Sequence, residues 1–317
     1  MSKLVTFGET MLRLSPPGDE RLERAESFDV RAAGAESNAA IAAQRMGASA
    51  TWLSKLPNSS LGRRVVGELS QYGIETDVVW SEEGRQGTYY FEHGGRPRGS
   101  NVVYDRTNSA ITTAKAEEFD PSLIRDARVF FTTGITPALS PQLRETTAKL
   151  LNVAHKADTT TAFDVNYRGK LWDTGEARQT LTKLLPGIDV LIIAVRDARA
   201  LFEYEGDPRQ FAHNIASQFD LTTVVVTRGS QGALAWHDNV VHDHDVYDTD
   251  TIDPVGTGDA FSGAFIARRL SGDDVHTALE YASATAALKR TIPGDVALVT
   301  KAEVEAVIAD KNDEISR

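Results

Sequence analysis

The segment Asp253-Pro254-Val255-Gly256-Thr257-Gly258-Asp259 combines two closely spaced glycines with a carboxylate. Glycines in this spacing let the backbone turn tightly with its amide hydrogens pointing inward. Ala260, Phe261, Ala264, Phe265 and Ile266 follow at helical spacing. The loop therefore sits on a helix N-terminus, where free N–H groups and the helix dipole favour an anion. Asp259 lies where that anion would bind. A carboxylate beside a phosphate-binding nest can accept the proton of a hydroxyl that attacks a phosphoryl group.

Four further clusters carry candidate chemistry, each with a plainer reading beside it. Ala33-Gly34-Ala35-Glu36-Ser37-Asn38 leads into an Ala-rich helix. Its small residues would let a ligand approach the backbone and Asn38 could bond hydroxyls, but taken alone it also reads as a helix entry capped by Ser37 or Asn38. Tyr104-Asp105-Arg106, with Tyr90 upstream, offers a guanidinium fork for a carboxylate, or simply a surface arginine. Asp164-Val165-Asn166-Tyr167-Arg168-Gly169-Lys170-Leu171-Trp172 starts at a strand end, and if extended it would put Asp164, Asn166 and Arg168 on one side. Thr227-Arg228-Gly229-Ser230-Gln231-Gly232 follows a buried strand and could wrap nucleotide phosphates or ribose, or make a tight turn into Ala233-Leu234-Ala235-Trp236. His242-Asp243-His244-Asp245 has a chelating spacing, yet its acidic surroundings read as a solvated edge. The chain has neither a Gly-x-x-x-x-Gly-Lys-Ser/Thr loop nor a Gly-x-Ser-x-Gly elbow.

The elements that must position these groups are short apolar runs alternating with amphipathic ones. Val129–Thr132, Thr161–Asp164, Val190–Ile193 and Thr223–Thr227 read as buried strands, with helices expected from about Pro141 to Ala157 and Glu176 to Leu185. Continuous hydrophobicity with intervening helices predicts a three-layer α/β fold, its mostly parallel sheet covered on both faces. Ligands in such folds sit beyond the carboxyl ends of the strands, where Asp164, Thr227 and the Gly256 loop all fall. Two segments break the alternation, at about residues 10–33 and 86–106, and predict a small β lid on a single domain spanning 1–317. Lid strands leave an unpaired edge, which pairing between subunits of a homo-oligomer would cover. Fraying is expected from Lys311 onward.

Composition narrows the class. The 317 residues are 41% hydrophobic and 8% aromatic, which suits a full core. With no cysteine, disulfides and thiolate metal sites are excluded. No apolar leader or membrane-length run is visible, so a cytoplasmic protein is expected. A net charge of -11 argues against nucleic acid or an anionic membrane as partner, and suits either a salt-rich cytoplasm or an ordinary acidic enzyme.

These pieces, in this order, resemble the ribokinase-like (phosphofructokinase-B type) sugar kinases over nearly the whole chain. Asp253 to Asp259 is similar to that family's Asp-Thr-x-Gly-Ala-Gly-Asp signature, with Pro254, Val255 and Thr257 as variants. The resemblance implies that Asp259 is the catalytic base and that the amides of Gly256, Thr257 and Gly258 form an anion hole. It also makes Thr227, Gly229 and Gly232 part of an ATP-contacting loop, joined by Asp164, Asn166, Gly256 and Gly258. Within the family, Asp164-x-Asn166-x-Arg168-x-x-Leu171-Trp172 resembles the signature of 2-keto-3-deoxygluconate kinases. That likeness implies sugar-acid contacts from Gly34, Asn38, Tyr90, Tyr104, Arg106, Arg168 and Asp295. A carboxylate substrate needs cationic partners, which neutral sugars do not. The expectation is ATP-dependent phosphorylation of the terminal hydroxyl of 2-keto-3-deoxygluconate, giving 2-keto-3-deoxy-6-phosphogluconate. The alternatives are fructose, ribose or 2-keto-3-deoxygalactonate as substrate, or a silent sugar-binding regulator. The family's magnesium-holding Asn-x-x-Glu is replaced by Ala194-Val195-Arg196-Asp197, leaving Asp197 to hold Mg²⁺ through a water. A monovalent cation is a further possible cofactor.

Overall fold

Neighbouring residues of the buried strands feed two different cores. Phe131, Ala162, Ile192 and Val225 pack into one apolar cluster, and Phe130, Phe163, Leu191 and Val224 into another. Side chains alternate across a strand, so strands that are apolar on both faces must be covered on both. The computed structural model describes residues 4–95 and 97–315, with side chains to residue 310. The first core is roofed by the helices Ala35–Arg45, Thr257–Ser271 and Val275–Arg290, and the second by Pro141–His155, Thr174–Leu184 and Pro208–Phe219.

The strands are β1 (Leu4–Phe7), β2 (Met11–Ser15), β3 (Asp29–Ala33), β4 (Ala50–Pro57), β5 (Glu75–Ser81), β6 (Thr88–Glu92), β7 (Asn101–Asp105), β8 (Val129–Thr133), β9 (Thr160–Asp164), β10 (Val190–Ala194), β11 (Thr223–Thr227), β12 (Ala233–His237) and β13 (Val240–His244). Nine of them form one sheet in the order β13-β12-β11-β10-β9-β8-β1-β4-β5. All its pairings are parallel except the terminal hairpins, β11 with β12 and β12 with β13. This is the three-layer α/β arrangement read from the sequence. The other four strands form a separate sheet in the order β3-β2-β6-β7. Met11, Ala33, Tyr89 and Phe91 cluster on it with Val102, and Val255 of the Gly256 loop packs against them.

Local signals set the helix ends. Asp173 caps the Thr174–Leu184 helix by accepting from the amide of Glu176, and Pro141 starts its helix behind the Ser140 cap. Both helices begin or end within two residues of their expected limits. The Ala35–Arg45 helix starts earlier than the Ser37 or Asn38 cap expected for it, at an N-cap of Gly34. Segment 164–168 is not extended, because Asn166 adopts φ 37° and turns the chain. The end expected to fray continues the Lys301–Ile315 helix, and residues beyond 315 lie outside those described. The edge strand β13 is less solvated than its acidic sequence suggested: Asp243 accepts from Arg209 and Arg228, and His244 is buried with its ring 5.3 Å from that of Tyr247. Among the described residues no helix is long and apolar enough to cross a membrane.

The Ala35–Arg45 and Thr257–Ser271 helices touch through backbone. A Cβ at Gly263 would lie 2.1 Å from the carbonyl oxygen of Ala39. Gly263→Val must push these helices apart, and is expected to cost roughly 1–3 kcal/mol or more, read as a lowered urea midpoint. Since these two helices carry Asn38 and Asp259, turnover should fall with it.

Candidate active site

The Gly256 loop closes over the turn that follows the Val275–Arg290 helix. Gly256 has φ 78° and caps the Thr257–Ser271 helix, and a Cβ there would lie 1.8 Å from the Asp295 carbonyl oxygen. Only glycine satisfies both conditions. The loop is held from inside: Asp253 Oδ1 accepts from Val255 N at 3.0 Å, and Thr257 Oγ1 donates to Pro254 O at 2.7 Å. Among the described residues the amides of Gly256, Gly258 and Asp259 have no acceptor, and that of Thr257 reaches Pro254 O only at 3.4 Å. A helix N-terminus with its amides left over is an anion receptor.

Asp259 stands in the first turn of that helix, half-buried. Burial pushes its pKa up to about 6. The Asn38 side chain, which donates to Oδ2 at 2.8 Å, holds it down, as do Arg168 and Asn166, while Asp295 raises it further. Arg168 is exposed, and among the described residues it has no ion-pair partner. Asp164 lies beneath. It is buried, accepts from Ser262 Oγ at 2.9 Å and from Asn166 N at 3.0 Å, and burial pushes it up to about 7. Through Ser262 these bonds tie Asp164 to the helix that carries Asp259. Asp197 is buried at the start of the Val195–Phe202 helix, where burial raises its pKa, and its Oδ2 accepts from Tyr167 N at 3.4 Å.

The small sheet supplies the opposite wall, and one residue of register changes which tyrosine faces it. Arg13, Tyr89 and Tyr104 are paired across β2, β6 and β7 and so share a face. Tyr89 Oη donates to Asp295 Oδ1 at 2.9 Å. Tyr90 points the other way and packs edge-on against Phe28 with ring centroids 5.7 Å apart, so the tyrosine the structure brings to Asp295 is Tyr89 rather than Tyr90. Asp295 itself is buried, and its second oxygen accepts from Arg13 Nη1 at 3.0 Å. Arg106 is ion-paired with Glu9, its guanidinium 5.7 Å from the Tyr104 ring centroid. Gly34 lies where a Cβ would meet the Glu9 carbonyl oxygen at 2.1 Å, which draws the start of the Ala35–Arg45 helix against this wall.

The Thr227–Gly232 segment lies at the same edge of the large sheet but makes a hairpin turn. Arg228 N donates to Gly232 O at 2.8 Å, Gly229 has φ 62°, and a Cβ at Gly232 would lie 2.0 Å from the His244 carbonyl oxygen. Gly232 is thus required by the approach of β13, whatever Thr227 and Gly229 bind. Arg13, Tyr89 and Glu36, which the structure places here, were given no role from the sequence. The signal for Arg13 was a lone cation inside the apolar run Met11–Leu14. Glu36 is buried, accepts from Thr133 N, Thr133 Oγ1 and Thr136 Oγ1, and is pushed up to about 7 by burial.

A nest of unpaired amides, a carboxylate with a raised pKa and a covering sheet at the carboxyl edge of a parallel sheet define a group-transfer enzyme of the kinase kind. The family model for pfkB family carbohydrate kinases matches residues 1–302, and the chain belongs to that family. It is 56% identical over 307 residues to a 2-dehydro-3-deoxygalactonokinase from Haloferax volcanii, covering 97% of this chain and 96% of that one. Identity is 31% over 313 residues to a 2-dehydro-3-deoxygluconokinase from Thermoproteus tenax, covering 97% and 94%. The crystal structure of a 2-dehydro-3-deoxygluconokinase from Thermotoga maritima superposes with a TM-score of 0.92 at 35% identity, covering 97% of this chain and 98% of that one.

If Asp259 is the base, burial that pushes its pKa up to about 6 means that activity falls as pH drops through that value. The kcat/KM profile is therefore expected to show an acid limb near pH 6 rather than near pH 4. Asn38→Leu removes a bond that favours the ionised form, so the limb should move to higher pH. A limb that stays in place in the variant contradicts the electrostatic assignment.

Proposed function

We propose that this carbohydrate kinase uses ATP to phosphorylate the terminal hydroxyl of a 2-keto-3-deoxy sugar acid, with the galacto epimer preferred over the gluco epimer. The observation that carries the chemistry is Asp259 in the first turn of a helix whose Gly256, Gly258 and Asp259 amides have no acceptor among the described residues. The sugar-acid class is supported by Arg168, exposed and without an ion pair among the described residues, and by Arg106, which Glu9 holds beside the Tyr104 ring. It is further supported by buried polar atoms without partners among the described residues, Asn38 Oδ1, Glu9 Oε1 and Arg106 Nε, which a hydroxylated acid would satisfy. The epimer preference follows the 56% identity to the Haloferax enzyme, against 31% to the Thermoproteus one. The gluco epimer expected from sequence remains the second reading, supported by the Thermotoga likeness.

In this reading Asp259 takes the proton of the terminal hydroxyl as its oxygen attacks the γ-phosphorus. The charge that develops on the transferring group is met by the amides of Gly256 to Gly258 and by Arg168. The small sheet acts as a lid that excludes water, the competing nucleophile. Asp164 and Asp197 are two acids rather than a cage, and among the described residues no cluster of three metal-ligating side chains occurs. Asp197, with Asp164 nearby, would hold Mg²⁺ through a water. When bound, the ion neutralises phosphate charge. The outer edge strand β7 exposes Val103 and Tyr104, and pairing of two such edges would give a homo-oligomer.

ADP release over a panel of 2-keto-3-deoxygalactonate, 2-keto-3-deoxygluconate, fructose and ribose tests the reading. Both sugar acids should turn over, with the higher kcat/KM on the galacto epimer. Arg106→Ala should raise the sugar-acid KM by about tenfold to a hundredfold, the loss of one charge-assisted pair. Turnover confined to neutral sugars, or unaffected by Arg106→Ala, contradicts the sugar-acid assignment. No turnover of any sugar would favour the silent regulator.

A further inference from the structure

Lys289 lies in the last turn of the Val275–Arg290 helix and is wholly buried, at 0% exposure. Lysines are almost never buried to this degree without a contacting carboxylate. Its ammonium has none within ion-pair distance among the described residues. Its ligands are two main-chain carbonyls, Asp253 O at 2.9 Å and Ile292 O at 3.2 Å. An ammonium held by carbonyl oxygens has the environment that a protein gives to a potassium ion.

The two carbonyls belong to the two segments that build the anion receptor. Asp253 opens the Gly256 loop, and Ile292 opens the turn that carries Gly294 and Asp295. The same segments meet again where Gly256 abuts the Asp295 carbonyl, and where Asp253 Oδ2 accepts from Gly294 N at 3.0 Å. Without a cation between them, the Asp253 and Ile292 carbonyls would present like dipoles to one another in a dry interior. The ammonium also supplies charge. Burial lowers the Lys289 pKa, while Asp253, Asp295 and Asp259 favour its charged form and Arg13 opposes it; beside Arg13, it is the second buried cation facing the buried carboxylates of Asp253 and Asp295.

We propose that Lys289 is a tethered cation: a positioning residue that clamps the Asp253 and Ile292 carbonyls together, fixes the loop whose amides receive the phosphoryl group, and takes the place of a free monovalent ion there. The proposal rests on the kinase reading for its kinetic consequences but not for the cation site itself.

Wild type and the Lys289→Ala and Lys289→Met variants are assayed with the best sugar substrate in potassium, ammonium, sodium and choline chloride at equal ionic strength. Wild-type kcat should vary by no more than about twofold among the salts. In choline, Lys289→Ala should lose about 30-fold to 100-fold in kcat with the sugar KM little changed, the pattern of a misplaced transition-state contact. Potassium or ammonium, which fit the vacated place, should restore about tenfold of that loss. Lys289→Met fills the space without charge, so it should be equally slow and unrestored. A second readout needs no substrate: potassium or ammonium should raise the melting temperature of Lys289→Ala above its value in choline, and by more than in Lys289→Met. Wild-type activity that depends strongly on potassium, an Ala variant with unchanged kcat, or a loss and a melting temperature identical in every salt would each overturn the proposal. If the wild type turns over no sugar, the kinase reading fails separately, and the melting comparison still decides the cation site.

Discussion

The approach of Gly256 to the main chain of Asp295 is the constraint on which the site depends. No side chain can enter between them, and the positive φ of Gly256 turns the chain directly into the Thr257–Ser271 helix. After that turn the amides of Gly256, Gly258 and Asp259 have no acceptor among the described residues. The carboxylate of Asp259 follows in the first turn of the helix. In the proposed mechanism the unpaired amides take the phosphoryl group and the carboxylate takes the proton, so a hydroxyl and a phosphorus would meet at one place.

Around this point the protein concentrates buried charge. Arg13 comes from the small sheet, Lys289 from a helix of the large one, and both close on the segments that carry Asp253 and Asp295. Such networks cost desolvation, and breaking one partner is expected to cost several kcal/mol because the other charge stays buried. Their value here is geometric. The Arg13 contacts bind the small sheet to the loop and the turn together, so the small-sheet wall and the Gly256 loop are positioned by the same ions. Tyr89 adds a neutral bond to Asp295, and Phe91 stacks under the Arg13 guanidinium at 4.2 Å.

Much of this was legible in the sequence where local chemistry and global position agree. Gly-x-Gly-Asp before an apolar helical run marks the turn into a helix that the structure has at Gly256, and the doubly apolar runs at Val129, Val190 and Thr223 specify a covered sheet. What could not be read was register and burial. Tyr89 and Tyr90 are adjacent, and only strand pairing decides which faces the cleft. Asp164 reads as an active-edge acid, but Ser262 lies far along the chain and gives no sign that it will cover it. Lys289 looks like any basic residue in the last turn of a helix, where cations are common for electrostatic reasons alone. The epimer of the sugar turns on one hydroxyl, which no spacing of residues encodes.

The most direct measurement is turnover by Asp259→Asn set against its ATP affinity. The asparagine keeps shape and hydrogen bonding but cannot take a proton at the working pH. If Asp259 is the base, ADP formation should fall by about a hundredfold or more while ATP binds within a few-fold of wild type. Near-normal turnover in the variant would contradict the assignment of Asp259, and with it the mechanism built on this loop.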